Sequence, residues 1–330
     1  MGRETYRAAG VDIDLVKDAI GALTGKVTFR RKKPYGMLGG VGHYAGLIDF
    51  GEHVLALTTD GVGTKMLVAD QLRDWRTVGI DCIAMNANDL FVMNVEPVAF
   101  VDYIATDRLS VEKMAQIGEG LNEGARLANL NLVGGETAQL PGLVNGLDLA
   151  GTCLGVQEKG KVVSGEKIRP GDCILGVPSS GIHSNGLTLA RRVVEKSGGY
   201  GERLPGGMTV GKALLTPTRI YRESLEACKK AEVHGMCHVT GSGLLNFTRL
   251  TKYGFEFTDP LPVPPVFSWL QERGEIEPVE MYRTFNMGMG FAYILPEEEA
   301  DILRKFIPGS RVVGEIVEKS GIRMKGLPVR

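Results

Sequence analysis

Acidic side chains recur in this chain beside glycines and at the ends of apolar runs, where a carboxylate can meet a ligand as well as cap a turn. The segment TTDGVGTK, Thr58 to Lys65, offers Asp60 as a hard oxygen ligand, Gly61 and Gly63 as bare amides, and Thr64 and Lys65 beside them. Such a set suits a metal-bound phosphate. A Gly-rich turn capped by its aspartate satisfies the same pattern. In AMNANDLF, Asn86 and Asp89 are three apart and share a helix face among apolar neighbours. A buried carboxylate needs a partner, and a cation, an arginine or a helix N-terminus can each supply one. VGGETAQLPG places Glu136 and Thr137 directly after two glycines. Asp60, Asp89 and Glu136 are therefore candidate Mg2+ ligands together with phosphates and water, or else three unrelated turn carboxylates.

Other segments add anion-binding character. PYGMLGGVGHYAG, Pro34 to Gly46, holds five glycines in thirteen residues and follows the basic run FRRKK. Gly39, Gly40 and Gly42 read as a phosphate cradle or lid, and the basic run either supports it or is a solvated face. In SSGIHSNG, His183 lies at the mouth of an expected helix, where it can donate to an anion or exchange a proton, while Ser184 or Asn185 reads as the cap. His234 and His238 flank Cys237, but EVHGMCHVTGSG reads as a strand entering a Gly-rich turn rather than a zinc site. Thr240 to Gly243 opens another helix, and MYRTFNMGMG brings Arg283 and Asn286, either to a ligand or to internal backbone groups. The chain contains neither a Walker A pattern nor a GxGxxG after a strand.

The elements that position these residues follow from periodicity. Strands are expected over 53–59, 97–105, 132–134 and 147–157, with helices over 77–93 and 111–130. A charged, Gly-rich stretch broken by Pro170 places a seam near residue 165, giving domains 1–165 and 166–330. The second half is expected to contain strands over 172–178, 291–295 and 311–317, and helices over 184–197, 219–231, 244–253, 266–273 and 297–306. Both halves mix helices and strands, which predicts two α+β or α/β domains with a ligand cleft between them.

Composition sets the outer bounds. A chain of 330 residues, at ~150 per domain, makes about two domains. Lys and Arg number 38 against 39 Asp and Glu, so no global positive field exists to hold a nucleic acid. No apolar run reaches the ~18 residues of a membrane span, and the first residues lack the apolar core of an export signal. Five cysteines without a CxxC pair fit a reducing compartment, so a soluble, cytoplasmic protein without disulfides is expected. Glycine, at 45 residues, is about twice its usual ~7% share, pointing to tight turns or backbone bared for a ligand.

Taken in order, YRAAGVDID, TDGVGTK, GID with AMNANDL, GGETAQLPG, SGIHSNG, LTPTRIY, HVTGSG and MYRTFNMGMG resemble the phosphoribosylformylglycinamidine cyclo-ligase family, from about Tyr6 to Val317. The resemblance implies ATP-dependent closure of formylglycinamidine ribonucleotide to aminoimidazole ribonucleotide in purine biosynthesis. It implies an N-terminal α+β domain whose sheet joins that of a second subunit as a barrel, a C-terminal α/β domain, and ATP near the interface of a homodimer. By this resemblance Asp60, Asp89 and Glu136 hold Mg-ATP with Asn86 or Asn88 in support. Gly39, Gly40, Gly42, Gly61, Gly63, Thr64, Lys65 and Thr137 contact the nucleotide, and Asp89, His183 and Lys65 serve catalysis. Gln139, Leu140, Ile182 and Ser242 depart from the usual family pattern and bear on fine substrate contacts, not on the reaction. Rival readings are another ATP-dependent phosphotransferase of the superfamily, or a nucleotide-binding dimer without turnover.

Overall fold

The computed structural model describes residues 4–39 and 43–330. Helix α1 (Ile13–Thr24) is followed by strands β1 (Met37–Leu38), β2 (Gly46–Phe50) and β3 (His53–Gly61) and helices α2 (Lys65–Leu72) and α3 (Val78–Phe91). Strand β4 (Glu96–Thr106), helix α4 (Val111–Ala128) and strands β5 (Asn131–Gln139) and β6 (Leu147–Glu158) complete the first half. The second half begins with β7 (Cys173–Pro178), α5 (Leu187–Lys196), α6 (Val210–Leu215), α7 (Ser224–Lys230) and β8 (Gly235–His238). A 3-10 segment (Gly243–Arg249), β9 (Gly254–Phe257), α8 (Pro265–Gly274), α9 (Pro278–Thr284) and β10 (Met289–Leu295) follow. The chain ends with α10 (Glu297–Phe306), β11 (Arg311–Val317), β12 (Ile322–Met324) and β13 (Leu327–Pro328).

Two sheets result, ordered β1-β2-β3-β6-β4-β5 and β13-β12-β9-β11-β7-β10-β8. In the first, every pair is antiparallel except β4 with β5, which α4 joins as a crossover. Strand β6 alternates buried and accessible residues with period two, so one face of this sheet is covered and the other is not. Helix α3 covers the inner face and α4 packs on α3. The outer face exposes Phe50, Leu57, Val101 and Tyr103, apolar side chains spread over β2, β3 and β4. The core of the second sheet is drier: β7 is buried from Cys173 to Val177 and β10 along its whole length.

Three expected helices differ from what forms. The one placed over 219–231 starts only at Ser224, because the Arg219 carbonyl and the Tyr221 amide are both engaged by the Asn88 side chain. Helix α5 starts at Leu187 with Gly186 as its cap, since His183 and Gly186 both adopt left-handed backbone angles and neither Ser184 nor Asn185 caps it. Over 244–253 a short 3-10 segment forms instead, its turn bonded by the Asn246 amide to the Gly243 carbonyl.

Helices α3 and α4 approach at glycines. A methyl on Gly79 would lie 2.2 Å from the Leu121 amide nitrogen, whereas Gly118, on the same helix as Leu121, has nothing within 4 Å. Gly79→Ala is therefore expected to cost about 1–3 kcal/mol through forced separation of the helices. Gly118→Ala is expected to be neutral or stabilising by up to about 1 kcal/mol. Urea midpoints of the two variants check the contrast, and equal behaviour would contradict the packing.

Candidate functional site

The end of β3 places Asp60 where the chain turns into α2. Its backbone is held by Asn86, whose amide donates to the Asp60 carbonyl (3.2 Å) and to the Cys82 carbonyl (2.9 Å), while Thr58 donates to the Asn86 carbonyl (3.2 Å). Gly63 sits at φ 65°, the conformation glycine adopts without strain, and lets the chain enter α2 at Lys65. Thr64 is the α2 cap without a side-chain cap bond; its hydroxyl lies 3.1 Å from that of Thr188. The turn thus sets a carboxylate beside the amides that open α2, with the Gly61 amide donating to Asp60 Oδ1 at 2.7 Å and the Val62 amide to the Leu149 carbonyl at 2.9 Å.

Asp89 reaches the same place from α3. Its side chain is 20% exposed, and Oδ1 accepts from Nδ1 of the fully buried His238 at 2.8 Å. The two carboxylates feel each other: burial among the cleft walls, then the Asp89 charge, push Asp60 up to about 6 although its side chain keeps access to solvent. The Gly61 amide, His238 and Arg249 pull in the opposite direction. Arg249, at the end of the 3-10 segment, is exposed and stacks over Tyr44 with its guanidinium 5.3 Å from the ring centre. The Tyr44 hydroxyl in turn lies 3.2 Å from the Cys237 sulfur, so the strand ending at His238 touches the residues that follow the glycine-rich loop.

His183 lies in the second lobe, 1% exposed, at φ 63°. The Ser180 amide donates to its Nε2 (3.3 Å), which leaves the ring proton on Nδ1, and Nδ1 has no partner. Burial, foremost, holds its pKa well below the ordinary histidine value, so the ring is neutral at pH 7. A strained backbone carrying an orphan buried donor is a combination found at functional sites.

Several sequence expectations need correction. Lys65 faces inward, not toward a phosphate: it is wholly buried, paired with Asp81 at 2.8 Å and donating to the Thr216 carbonyl at 2.7 Å. Burial lowers its pKa, and Asp81 partly restores it. Glu136 does not join Asp60 and Asp89 within one chain. Asp60 pairs in register with Gly151, Asp102 and Gly135 across the sheet, so Glu136 is about three strand spacings of ~4.8 Å away and points to the opposite face. No group of three His, Cys, Asp or Glu side chains able to hold a metal converges among the described residues. Asn86 and Asn88 are buried and bonded to backbone, so they position neighbours rather than face a ligand. Thr137 is exposed on the β5 edge. Gly61 lies with Asp60 in the turn, Gly39 adopts φ 69° just before the loop, and Gly40 and Gly42 fall outside the described residues. Arg283 donates to the Val329 carbonyl and Asn286 bonds Gly181, Ser179 and Gly288, satisfying internal groups.

Two residues of the cleft escaped sequence reasoning, His238 and Arg249. The only local signal for His238 was a polar residue closing the buried strand Gly235–His238; for Arg249 there was none. The donor set that does assemble, the two carboxylates Asp60 and Asp89, matches Mg2+, which commonly takes one or two carboxylates and fills its other positions with phosphates and water. A cleft of about 1270 Å³ elsewhere, lined by residues of 159–167 and α7, contains none of these groups; Lys161, Lys167 and Lys229 on its wall are each paired with a glutamate.

Comparison with known proteins comes down on one family. The sequence pattern described as AIR synthase related protein, N-terminal domain, matches residues 42–157, and its C-terminal counterpart matches residues 169–326. A phosphoribosylformylglycinamidine cyclo-ligase of Methanosarcina acetivorans is 53% identical over 98% of this chain and 97% of its own. One of Thermococcus gammatolerans is 46% identical over 99% of each. Among solved structures, thiamine monophosphate kinase of Aquifex aeolicus aligns with TM-score 0.65 at 18% identity, covering 96% of this chain and 97% of that one. Hydrogenase maturation protein HypE in complex with ATP aligns with TM-score 0.57 at 17% identity, covering 86% and 79%. At such identities the structural likeness is one of fold.

Two outcomes test the geometry. Lys65→Met strands Asp81 in the interior and is expected to cost about 3–5 kcal/mol in urea denaturation; unchanged stability with weakened ATP binding would instead put Lys65 at the nucleotide. An aspartate raised from 3.8 to about 6 in the fold makes its ionised form destabilising above pH 6, a cost that vanishes below 3.8. Asp60→Asn is thus expected to raise the melting temperature of the ligand-free protein at pH 8 and to leave it nearly unchanged at pH 4, as read by calorimetry.

Proposed function

The chain belongs to the phosphoribosylformylglycinamidine cyclo-ligases of the AIR synthase related family, and from that premise we propose how its own residues close the imidazole ring of aminoimidazole ribonucleotide at the expense of ATP. The formamide oxygen of formylglycinamidine ribonucleotide is a poor leaving group. Transfer of the γ-phosphoryl group makes it an iminophosphate; the amidine nitrogen attacks that carbon, phosphate departs, and ADP, phosphate and a proton complete the balance. The observation that carries the reading is the pairing of Asp60 with Asp89 at one strand-end turn of a chain similar to cyclo-ligases along its whole length.

Most of the catalytic work is then positioning and neutralisation of charge. Asp60 and Asp89 are the residues that would hold Mg2+, which neutralises triphosphate oxygens when bound. The amides of Gly63 and Thr64, at the start of α2, face anionic oxygens, while the Gly61 amide donates to Asp60 Oδ1 and orients that carboxylate. Arg249 adds the positive charge that Lys65, locked in its ion pair, does not provide. His183 is neutral, so it contributes the Nδ1 hydrogen bond to an oxygen that gains charge rather than a whole proton. Gly39, at φ 69°, opens the glycine-rich stretch that completes the contacts of the phosphates in this reading.

The uncovered apolar face of the first sheet supports a homodimer, in which a second copy covers Phe50, Leu57, Val101 and Tyr103. Glu136 lies on that open side, beside Tyr103, whereas Thr137 alternates to the other face of β5; in this reading Glu136 borders the nucleotide only where the second copy completes the site. No helix among the described residues is long and apolar enough to cross a membrane, and a cytoplasmic enzyme fits the purine-building reaction.

ADP release measured with and without formylglycinamidine ribonucleotide tests the reading: turnover is expected only in its presence. Asp89→Asn and His183→Ala are expected to lower kcat by at least about a hundredfold with the fold intact by circular dichroism. Nucleotide binding without substrate-dependent ADP release would indicate a non-catalytic dimer.

A further inference from the structure

We propose that His238 is a positioning residue, which locks Asp89 into the one rotamer that presents a free carboxylate oxygen to the cleft. The inference rests on the assignment of Asp89 to the nucleotide's cation made above. It is argued from hydrogen bonds that cross between the lobes.

The Tyr221 amide donates to Asn88 Oδ1 at 2.9 Å, which identifies that atom as the oxygen. Asn88 Nδ2 must then be the donor; it bonds the Arg219 carbonyl at 2.9 Å and lies 3.4 Å from His238 Nε2. Nε2 consequently receives a hydrogen, and a second proton placed there would point at the amide hydrogens. The ring proton therefore sits on Nδ1, where it meets Asp89 Oδ1 at 2.8 Å. Every polar atom of Asn88 and of the His238 ring is used, and both residues are buried. The imidazole has no freedom to turn away. Asp89 Oδ2 has no partner among the described residues, and Asp60 stands close enough to feel its charge.

The ring belongs to the second lobe and the carboxylate to the first. Asp89 is one residue beyond Asn88 on α3, whereas His238 ends β8 and Arg219 and Tyr221 precede α7. The second lobe thus sets the orientation of a carboxylate that it does not carry. Outer groups of this kind, bonded to a ligating side chain, typically change cation affinity 10–100-fold when removed.

The test uses the full chain and two substitutions that differ in hydrogen-bonding capacity. His238→Asn offers an N–H close to the position of Nδ1, and His238→Leu offers none. Mn2+ binding is measured by electron paramagnetic resonance in the presence of a non-hydrolysable ATP analogue, so the result does not depend on which substrate is turned over. His238→Leu is expected to weaken Mn2+ binding about 10–100-fold and His238→Asn to recover most of that loss. Equal affinities for both variants, or wild-type affinity in a folded His238→Leu, would overturn the proposal. The unsubstituted protein provides a check that needs no variant to fold: 15N-edited NMR should find His238 protonated on Nδ1 with Nε2 bare, and the opposite tautomer would also overturn it. In the unsubstituted protein, absence of substrate-dependent ADP release while Mn2+ binds as expected would count against the cyclo-ligase reading alone.

Discussion

The buried pair between Lys65 and Asp81 governs how the two halves of this molecule meet. Both side chains are fully removed from solvent. Isolated charges in that position would cost many kcal/mol, and their attraction offsets the cost only where further hydrogen bonds complete the geometry. The second lobe supplies those bonds: the Thr218 amide and hydroxyl donate to Asp81 at 2.7 and 2.6 Å, and the Thr216 carbonyl accepts from Lys65. Satisfying the pair therefore requires that residues 216–218 lie against α2 and α3. A few residues onward, Asn88 grips Arg219 and Tyr221 in the same manner. The lobes are zipped along α3, whose last turn carries Asp89.

At the cleft the balance is deliberately unfavourable to the empty protein. Burial, and next the Asp89 charge, raise Asp60 above the usual carboxylate range, against the pull of Arg249 and the Gly61 amide. His183 holds a left-handed backbone conformation and a buried, unpartnered Nδ1. Each of these features costs stability in the ligand-free protein. The extensive buried core of the second lobe, continuous through β7 and β10, offsets that cost.

The one-sided first sheet extends the argument beyond a single chain. Its inner face is satisfied by α3, but the outer face and the edge strand β5 expose apolar side chains together with Glu136. A strand so placed is an invitation to another chain, and soluble proteins leave such surfaces bare chiefly where a partner covers them. The homodimer proposed above would cover that surface.

Much of this was readable in the residues alone. The period of the apolar positions located β4, α4, β6, α10 and β11 closely, because a half-buried element must repeat with the geometry of its backbone. Collinear glycine and acidic motifs identified the family, since each needs a particular residue type at a particular turn. What the sequence could not decide was direction. Lys65 lies within a phosphate-like motif, yet turns inward because Asp81, sixteen residues on, and a loop 151 residues on make the better partners. Glu136 resembles Asp60 in its local setting, yet a sheet alternates faces, and three strands of register put the two on opposite sides. His238 looked like the end of a strand and proved to be the anchor of Asp89. Local pattern sets which residues can do chemistry; only the packing of distant segments, through burial and hydrogen-bond satisfaction, sets which of them face the same space.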